Sequence, residues 1–320
     1  MTDQGAGLVG WVPYRVRAGD APPRVAWCHV GARRFTEPFF SQTIDACLDR
    51  LFNQLFAHET PIDALLDQHR LRPGIAPTAF IFHCSRCGST LYSQLAAALP
   101  QTIAISEAPP IDHILRAAAP NEVRIEWLRA LVGVLGQPRG GDERHLFVKF
   151  DAWHIAQLPL VQRAFPSVPC LYLYRDPADV LASQLRMPGM HMVPGVLDTS
   201  ITGIDLRTLL ALSREEQRGR LLEWVFEAGL THAEAGRVAL LNYTELPEAA
   251  IRQLLAWCRL SGRADLRRVL EETARFDAKT PSLYFSRTDA TTNRGLSGAT
   301  SRLETLYERL EAHRRAAVIS

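Results

Sequence analysis

Three stretches of the chain share one pattern: a short run rich in apolar and β-branched or aromatic residues, a polar turn, then a segment with helical period. They are 79–83 before 89–99, 146–150 before 155–165, and 170–174 before 177–185. Strands that alternate with helices predict a parallel sheet, because each parallel pairing needs a crossover connection. Residues 102–105 and 238–242 read as two further strands, each followed by a helical run that begins near Pro109 or Glu245. The expected fold class is therefore α/β, a parallel sheet of about five strands with helices on both faces. In such sheets ligands bind beyond the carboxyl ends of the strands.

Residues 1–75 follow a different pattern and are expected to form a small amino-terminal α+β appendage. A strand is predicted over 25–29, an amphipathic helix from Glu37 to about Phe56, and another helix over 62–69. The prolines and glycine of 71–77 mark a connector, so the main α/β domain is expected over 76–320. Residues 187–203 hold three glycines, two prolines and three of the four methionines, with little periodicity. They read as a surface loop, and such loops often cover sites.

Composition narrows the function classes. The 320 residues suffice for a real core, with 47% apolar and 22% charged positions and a net charge of +2, which excludes disorder and histone-like or coat-like roles. No apolar run approaches the roughly 18 residues that span a bilayer, and the first ten residues lack the pattern of a signal peptide. A soluble cytoplasmic protein is expected, with no nucleic-acid or membrane partner. Six cysteines are too sparse for a disulfide scaffold and suit a reducing compartment.

The most informative segment runs from Phe82 to Thr90, between a buried strand and a helix that begins near Ser89. Gly88 lets the backbone approach a ligand closely, and exposed amides with the helix dipole favour an anion. Arg86 and the hydroxyls of Ser89 and Thr90 complete a phosphate cradle. A plain capped turn explains the same residues without a ligand. An NTPase loop would place lysine directly after its second glycine, whereas Ser89 follows Gly88 here, which argues against ATP hydrolysis. Cys84 and Cys87 have zinc-like or redox spacing, but no second cysteine pair accompanies them.

A second cation stands at the end of the 170–174 strand. Asp176, Pro177 and Asp179 are explained as a helix start, but Arg175 is not, and with Ser183 it could hold a second phosphate. Two anion sites a sheet's width apart imply a nucleoside with phosphates at both ends.

With these residues in view, the chain resembles the sulfotransferases that use 3′-phosphoadenosine 5′-phosphosulfate (PAPS). Arg86-Cys87-Gly88-Ser89-Thr90 is similar to their 5′-phosphosulfate loop, and Arg175 with Ser183, eight residues apart, to their 3′-phosphate pair. Residues 293–298 are similar to the late glycine loop of cytosolic members, so Arg294 and Gly295 are expected to contact the 3′-phosphate; 242–246 resembles a tyrosine-acid-leucine strand end. The resemblance covers residues 78 to about 300. The chain departs from it at Leu91, where a tryptophan often stacks on adenine, and at Ala299-Thr300, which replace an aspartate and a tryptophan.

The resemblance implies in-line sulfuryl transfer from PAPS to a hydroxyl or amine of a small-molecule acceptor, releasing 3′-phosphoadenosine 5′-phosphate (PAP), with no metal. Catalysis would then rest on positioning and charge neutralisation, with Arg86 beside the transferred group. The acceptor needs a base. Glu107, 21 residues after Arg86, matches the position of a glutamate in several sulfotransferases and is preferred. Asp151, where cytosolic members carry a histidine, is the runner-up; His154 is nearby, and Lys149 could touch the leaving phosphate or the acceptor. Trp27, Phe35, Phe39, Phe40 and Trp153 read as core or domain contacts. The amino-terminal 75 residues and the 187–203 loop are expected to shape the acceptor pocket. Competing readings are a non-catalytic PAP-binding module and an atypical P-loop kinase.

Overall fold

The structure is a computed structural model that describes residues 8–19, 22–280, 283–284 and 299–319. Near the amino terminus, Trp11–Arg17 (β1), Arg24–His29 (β2) and His58–Pro61 (β3) form an antiparallel sheet in the order β1-β2-β3. Only β2 was expected from the sequence. Pro13 and Arg15 obscure the alternation of β1, which is bulged between Pro13 and Arg15, and β3 is four mostly exposed residues. The single helix expected from Glu37 to Phe56 is two, Phe40–Leu48 and Leu51–Leu55. Asn53 accounts for the break, because its side-chain amide donates to the carbonyls of Cys47 (2.7 Å) and His29 (2.9 Å) and draws the chain back onto β2.

The main sheet contains Pro77–His83 (β4), Thr102–Ser106 (β5), His145–Lys149 (β6), Cys170–Tyr174 (β7) and Ala239–Asn242 (β8). All pairings are parallel, in the order β5-β6-β4-β7-β8, with helices packed around the sheet. This is the predicted α/β architecture. Burial on both faces explains why β7 reads as the unbroken run Cys-Leu-Tyr-Leu-Tyr, all of it inside. The helix expected over 155–165 is a 3₁₀ segment, Ala152–Gln157, followed by an α-helix, Leu158–Ala164, with Pro159 in its first turn.

Side chains of both sheets join one hydrophobic core. The amino-terminal sheet packs on the helices Pro109–Leu115 and Asn121–Leu135 that follow β5, and the Val16 amide donates to His113 Nδ1 at 3.3 Å. After β4 the chain crosses to one side of the sheet (β6, β5) and later to the other (β7, β8). The order therefore reverses at β4, and the crevice beyond its carboxyl end is where ligands of such sheets sit.

Candidate active site

β4 ends at His83 and turns into the helix Ser89–Ala98 through three residues with positive φ, Ser85 (+71°), Arg86 (+51°) and Gly88 (+83°). Among the described residues only four non-glycine positions adopt this conformation, and three of them, Ser85, Arg86 and Glu107, follow β4 and β5. Such strain persists only where surroundings hold it, and it clusters at functional sites. Here the Ser85 amide donates to His83 Nδ1 (2.9 Å) and Gln184 donates to Ser85 Oγ (2.9 Å). The Cys84 amide and the Cys87 thiol both donate to the Leu173 carbonyl, at 2.9 and 3.2 Å, tying the turn to β7. Both thiols are buried and unbridged. Gly88 is favoured by its φ, which a side chain rarely adopts; a Cβ would also lie 2.3 Å from Leu246 Cδ1, so the tip of that leucine would have to shift.

Arg175, at the end of β7, donates to Asp179 Oδ2 through Nε (3.0 Å) and Nη2 (2.8 Å), and its guanidinium lies 4.1 Å from the centre of the Tyr243 ring. Asp179 is thus Arg175's partner as well as a favourable charge at a helix start, a pairing that reading the two residues separately did not anticipate. Because β4 and β7 are neighbours, the two candidate anion corners adjoin instead of standing a sheet's width apart. Arg86, Cys87, Gly88, Ser89, Thr90, Arg175 and Ser183 all line one cavity of about 490 Å³. Tyr243, Leu246, Pro247, Phe276 and Lys279 complete much of its wall.

The cavity is rich in positive charge. Burial, then the nearby Arg86 and Lys149, pull Lys279 below the usual lysine value. Arg86 is lowered as well, by burial and then by Arg186, while its Nη2 donates to the Met187 carbonyl at 2.6 Å. Cations crowded in this way favour an incoming anion.

Asp277 lines the cavity, and two further acids, Glu107 and Asp151, follow β5 and β6 without lining it. Glu107 follows β5, and its amide donates to the Lys149 carbonyl at 2.9 Å. Its Oε1 lies 2.6 Å from Lys149 Nζ and 3.3 Å from His83 Nε2. Burial alone would raise its carboxyl, but the Lys149 charge, with help from His83, holds it far below the usual carboxylate range. Lys149 is only 1% exposed, close to Thr90 Oγ1 (3.5 Å) and Ser106 Oγ (3.4 Å), and 5.2 Å from the centre of the Phe39 ring.

Asp151 follows β6 and starts the 3₁₀ segment: the His154 amide donates to its backbone carbonyl at 3.0 Å, and its own amide donates to His154 Nδ1 at 3.2 Å. Burial, then the negative charge of Glu107, pushes its carboxyl up to about 7, although His154 and His83 pull the other way. His154 is buried, with Nε2 2.9 Å from Asp112 Oδ1.

Arg294 and Gly295, expected at the 3′-phosphate, lie outside the described residues. Trp27, Phe35, Phe40 and Trp153 are buried, as expected, but Phe39 is half-buried and covers the Lys149 ammonium, so the amino-terminal segment reaches this site. From 187–203, the Met187 carbonyl holds Arg86, and buried His191 lies 5.7 Å from the Trp153 ring. Reading the sequence missed Lys279, Phe276 and Asp112, whose segments carry no motif. The partnership of Arg175 with Tyr243 was hidden because the two are distant in sequence.

No family model and no curated protein matches the chain. Among solved structures, it is similar to the sulfotransferase domain from the curacin biosynthetic pathway, with 16% identity over 75% of this chain and 98% of that one and a TM-score of 0.47. It is also similar to the sulfotransferase domain of the Synechococcus PCC 7002 olefin synthase, at 14% identity over 74% and 96% of the two chains, TM-score 0.41. A third similar structure is a sulfotransferase from Mycobacterium avium, at 12% identity over 80% and 81%, TM-score 0.46.

Proposed function

We propose that this chain is a sulfotransferase that moves a sulfuryl group from PAPS to a hydroxyl or amine of a small acceptor. The observation that carries the reading is the single cavity in which the Arg86–Thr90 turn and the Arg175–Ser183 pair meet. Its size and charge fit a nucleotide with anionic groups at two positions: the turn's amides, Arg86 and Lys279 suit the 5′ end, and Arg175 with Ser183 the 3′-phosphate. Tyr243, Phe276, Leu246 and Pro247 offer the aromatic and apolar surface that an adenine needs, in place of the absent tryptophan.

The donor supplies an activated sulfuryl group whose leaving oxygen belongs to a phosphate. Arg86 and Lys149 hold negative charge on that group as the sulfur–oxygen bond breaks and the acceptor oxygen or nitrogen bonds to sulfur. The acceptor's proton goes to a carboxylate. Of the two candidates, Glu107 is committed to Lys149 and His83 and binds a proton weakly, so its role is to fix the Lys149 ammonium. Asp151, near 7, is matched to proton abstraction at neutral pH and is assigned as the base. His154 positions Asp151 by accepting its backbone amide at Nδ1. The balanced charge of the chain fits a small acceptor better than a polyanion, and its unbridged cysteines suit the cytoplasm; among the described residues no helix is long and apolar enough to cross a membrane.

Incubation with sulfur-labelled PAPS and a panel of phenols, alcohols and amines tests the reading. Label should move to at least one acceptor with matching release of PAP, in the absence of metal. Turnover of ATP with magnesium and none of PAPS would establish a kinase instead.

A further inference from the structure

Asp112 lies on the helix Pro109–Leu115, and it lines neither the cavity nor any motif. It is nevertheless a hub. Its Oδ1 accepts from Trp153 Nε1 at 2.7 Å and stands 2.9 Å from His154 Nε2, while Oδ2 accepts from Arg116 at 3.3 Å. On the opposite side of the imidazole, the Asp151 backbone amide donates to His154 Nδ1 at 3.2 Å. A ring nitrogen that accepts carries no proton, so the proton is on Nε2 and is donated to Asp112.

This tautomer has a consequence for Asp151. Its Oδ2 is 3.8 Å from His154 Nδ1, close enough for a small ring rotation to bring the two together. With the proton on Nε2, the carboxylate faces a lone pair there. With the proton on Nδ1, it would face a donor, and a donor to the charged form makes a carboxylate a weaker base.

We propose that Asp112 is a positioning residue for the base: together with the Asp151 amide on Nδ1, it fixes the Nε2–H tautomer of His154 by accepting that proton, which denies the Asp151 carboxylate the imidazole as a hydrogen-bond donor and keeps it a strong proton acceptor. This rests on the assignment of Asp151 under the proposed function. The titratable groups that face Asp151 are Glu107, His154, Asp112 and His83, and the Asp112 charge itself adds to the upward push. Charge and tautomer can be separated. Asp112→Asn keeps an oxygen for both donors and loses the charge, whereas Asp112→Leu loses both.

The experiment is nuclear magnetic resonance of the whole chain, reading the His154 ring nitrogens and the Asp151 carboxyl carbon across pH, beside PAP affinity by calorimetry. Wild type should show the Nε2–H form and an Asp151 midpoint near 7. In Asp112→Leu, where only the Asp151 amide still favours Nε2–H, the Nδ1–H fraction should rise and the Asp151 midpoint fall, with PAP affinity changed less than about twofold. Asp112→Asn should keep Nε2–H and show a smaller fall. The proposal is overturned by an Nδ1–H ring in wild type, which needs no variant to fold. It is also overturned by an unchanged Asp151 midpoint in the leucine variant, or by equal shifts in both variants, which would mean charge alone. Neither resonance requires a donor or acceptor. A chain that transfers no sulfuryl group would therefore refute the proposed function while leaving this result readable.

Discussion

Glu107 and Asp151 follow adjacent parallel strands and are both partly buried, yet their environments drive them in opposite directions. Glu107 turns with a strained φ of +51° that presents its carboxylate to Lys149 at 2.6 Å. Asp151 caps its own turn and meets no cation at hydrogen-bond distance, and the charge of Glu107 works against its ionisation. Two carboxylates a strand apart thus divide the labour: one stays ionised as a counter-ion, and the other can exchange a proton near neutrality. Residue type does not decide the role, but the position of Lys149 does.

The largest expected effect comes from removing the basic member of this pair. Asp151→Asn should lower kcat by about 10² to 10⁴-fold, the usual range for a general base, with PAP affinity unchanged in calorimetry. A loss below about fivefold would return the role to Glu107.

Glu107→Gln should instead act on stability. It leaves the buried Lys149 ammonium without its partner, a change that typically costs about 3–5 kcal/mol. Denaturant unfolding should show most of that loss recovered in Glu107→Gln with Lys149→Met, where neither charge remains. Additive losses in the double variant would show that the ion pair is not the reason these residues are held.

Next in size are the pH dependences, and their signs differ. Asp151 has a raised value, so the folded state binds its proton more tightly than the unfolded chain. Its contribution to stability is present below the ordinary carboxylate value of about 4 and lost as pH rises to about 7. Relative to wild type, Asp151→Asn should therefore gain stability between these limits. Glu107 has a lowered value, so its contribution is present above about 4 and lost as pH falls further. The rate should rise with pH through the Asp151 transition near 7, and in Glu107→Gln that limb should move to lower pH, because a repelling charge is gone. A limb that stays in place would separate the two carboxylates electrostatically.

The smallest effect is expected at Phe39. Its ring covers the Lys149 ammonium, a contact worth about 0.5–2 kcal/mol, so Phe39→Leu should weaken the apparent acceptor affinity a few-fold and leave PAP binding intact. Unchanged acceptor kinetics would confine the amino-terminal segment to a packing role.

Much of this arrangement is legible in the sequence. The strands of the main sheet are continuous apolar runs because both faces are covered, and the turns after β4 and β7 stand out because glycine, arginine and hydroxyl residues interrupt those runs. The antiparallel β1 and β3 were illegible: one is bulged beside a proline, and the other is too short and polar to show alternation. At the site, local spacing revealed Gly88, Arg86 and Arg175 but hid what only the fold brings together. Lys279 meets Arg86 across the cavity, Tyr243 stacks on Arg175, and Asp112 reaches His154 over 42 positions of sequence. The preference between Glu107 and Asp151 could not be read either, since it depends on which carboxylate Lys149 touches.

The claim beneath all of this is that the turn after β4 and the corner after β7 grip one nucleotide at two anionic positions. Calorimetric titration with PAP beside adenosine 5′-monophosphate tests it most directly, in wild type and Arg175→Ala. The account predicts that PAP binds at least about tenfold more tightly than the monophosphate, as a charge-assisted pair to the second phosphate would give, and that Arg175→Ala removes this advantage while leaving monophosphate binding nearly unchanged. Equal affinities for the two nucleotides in wild type, or an advantage for PAP that survives in Arg175→Ala, would contradict it.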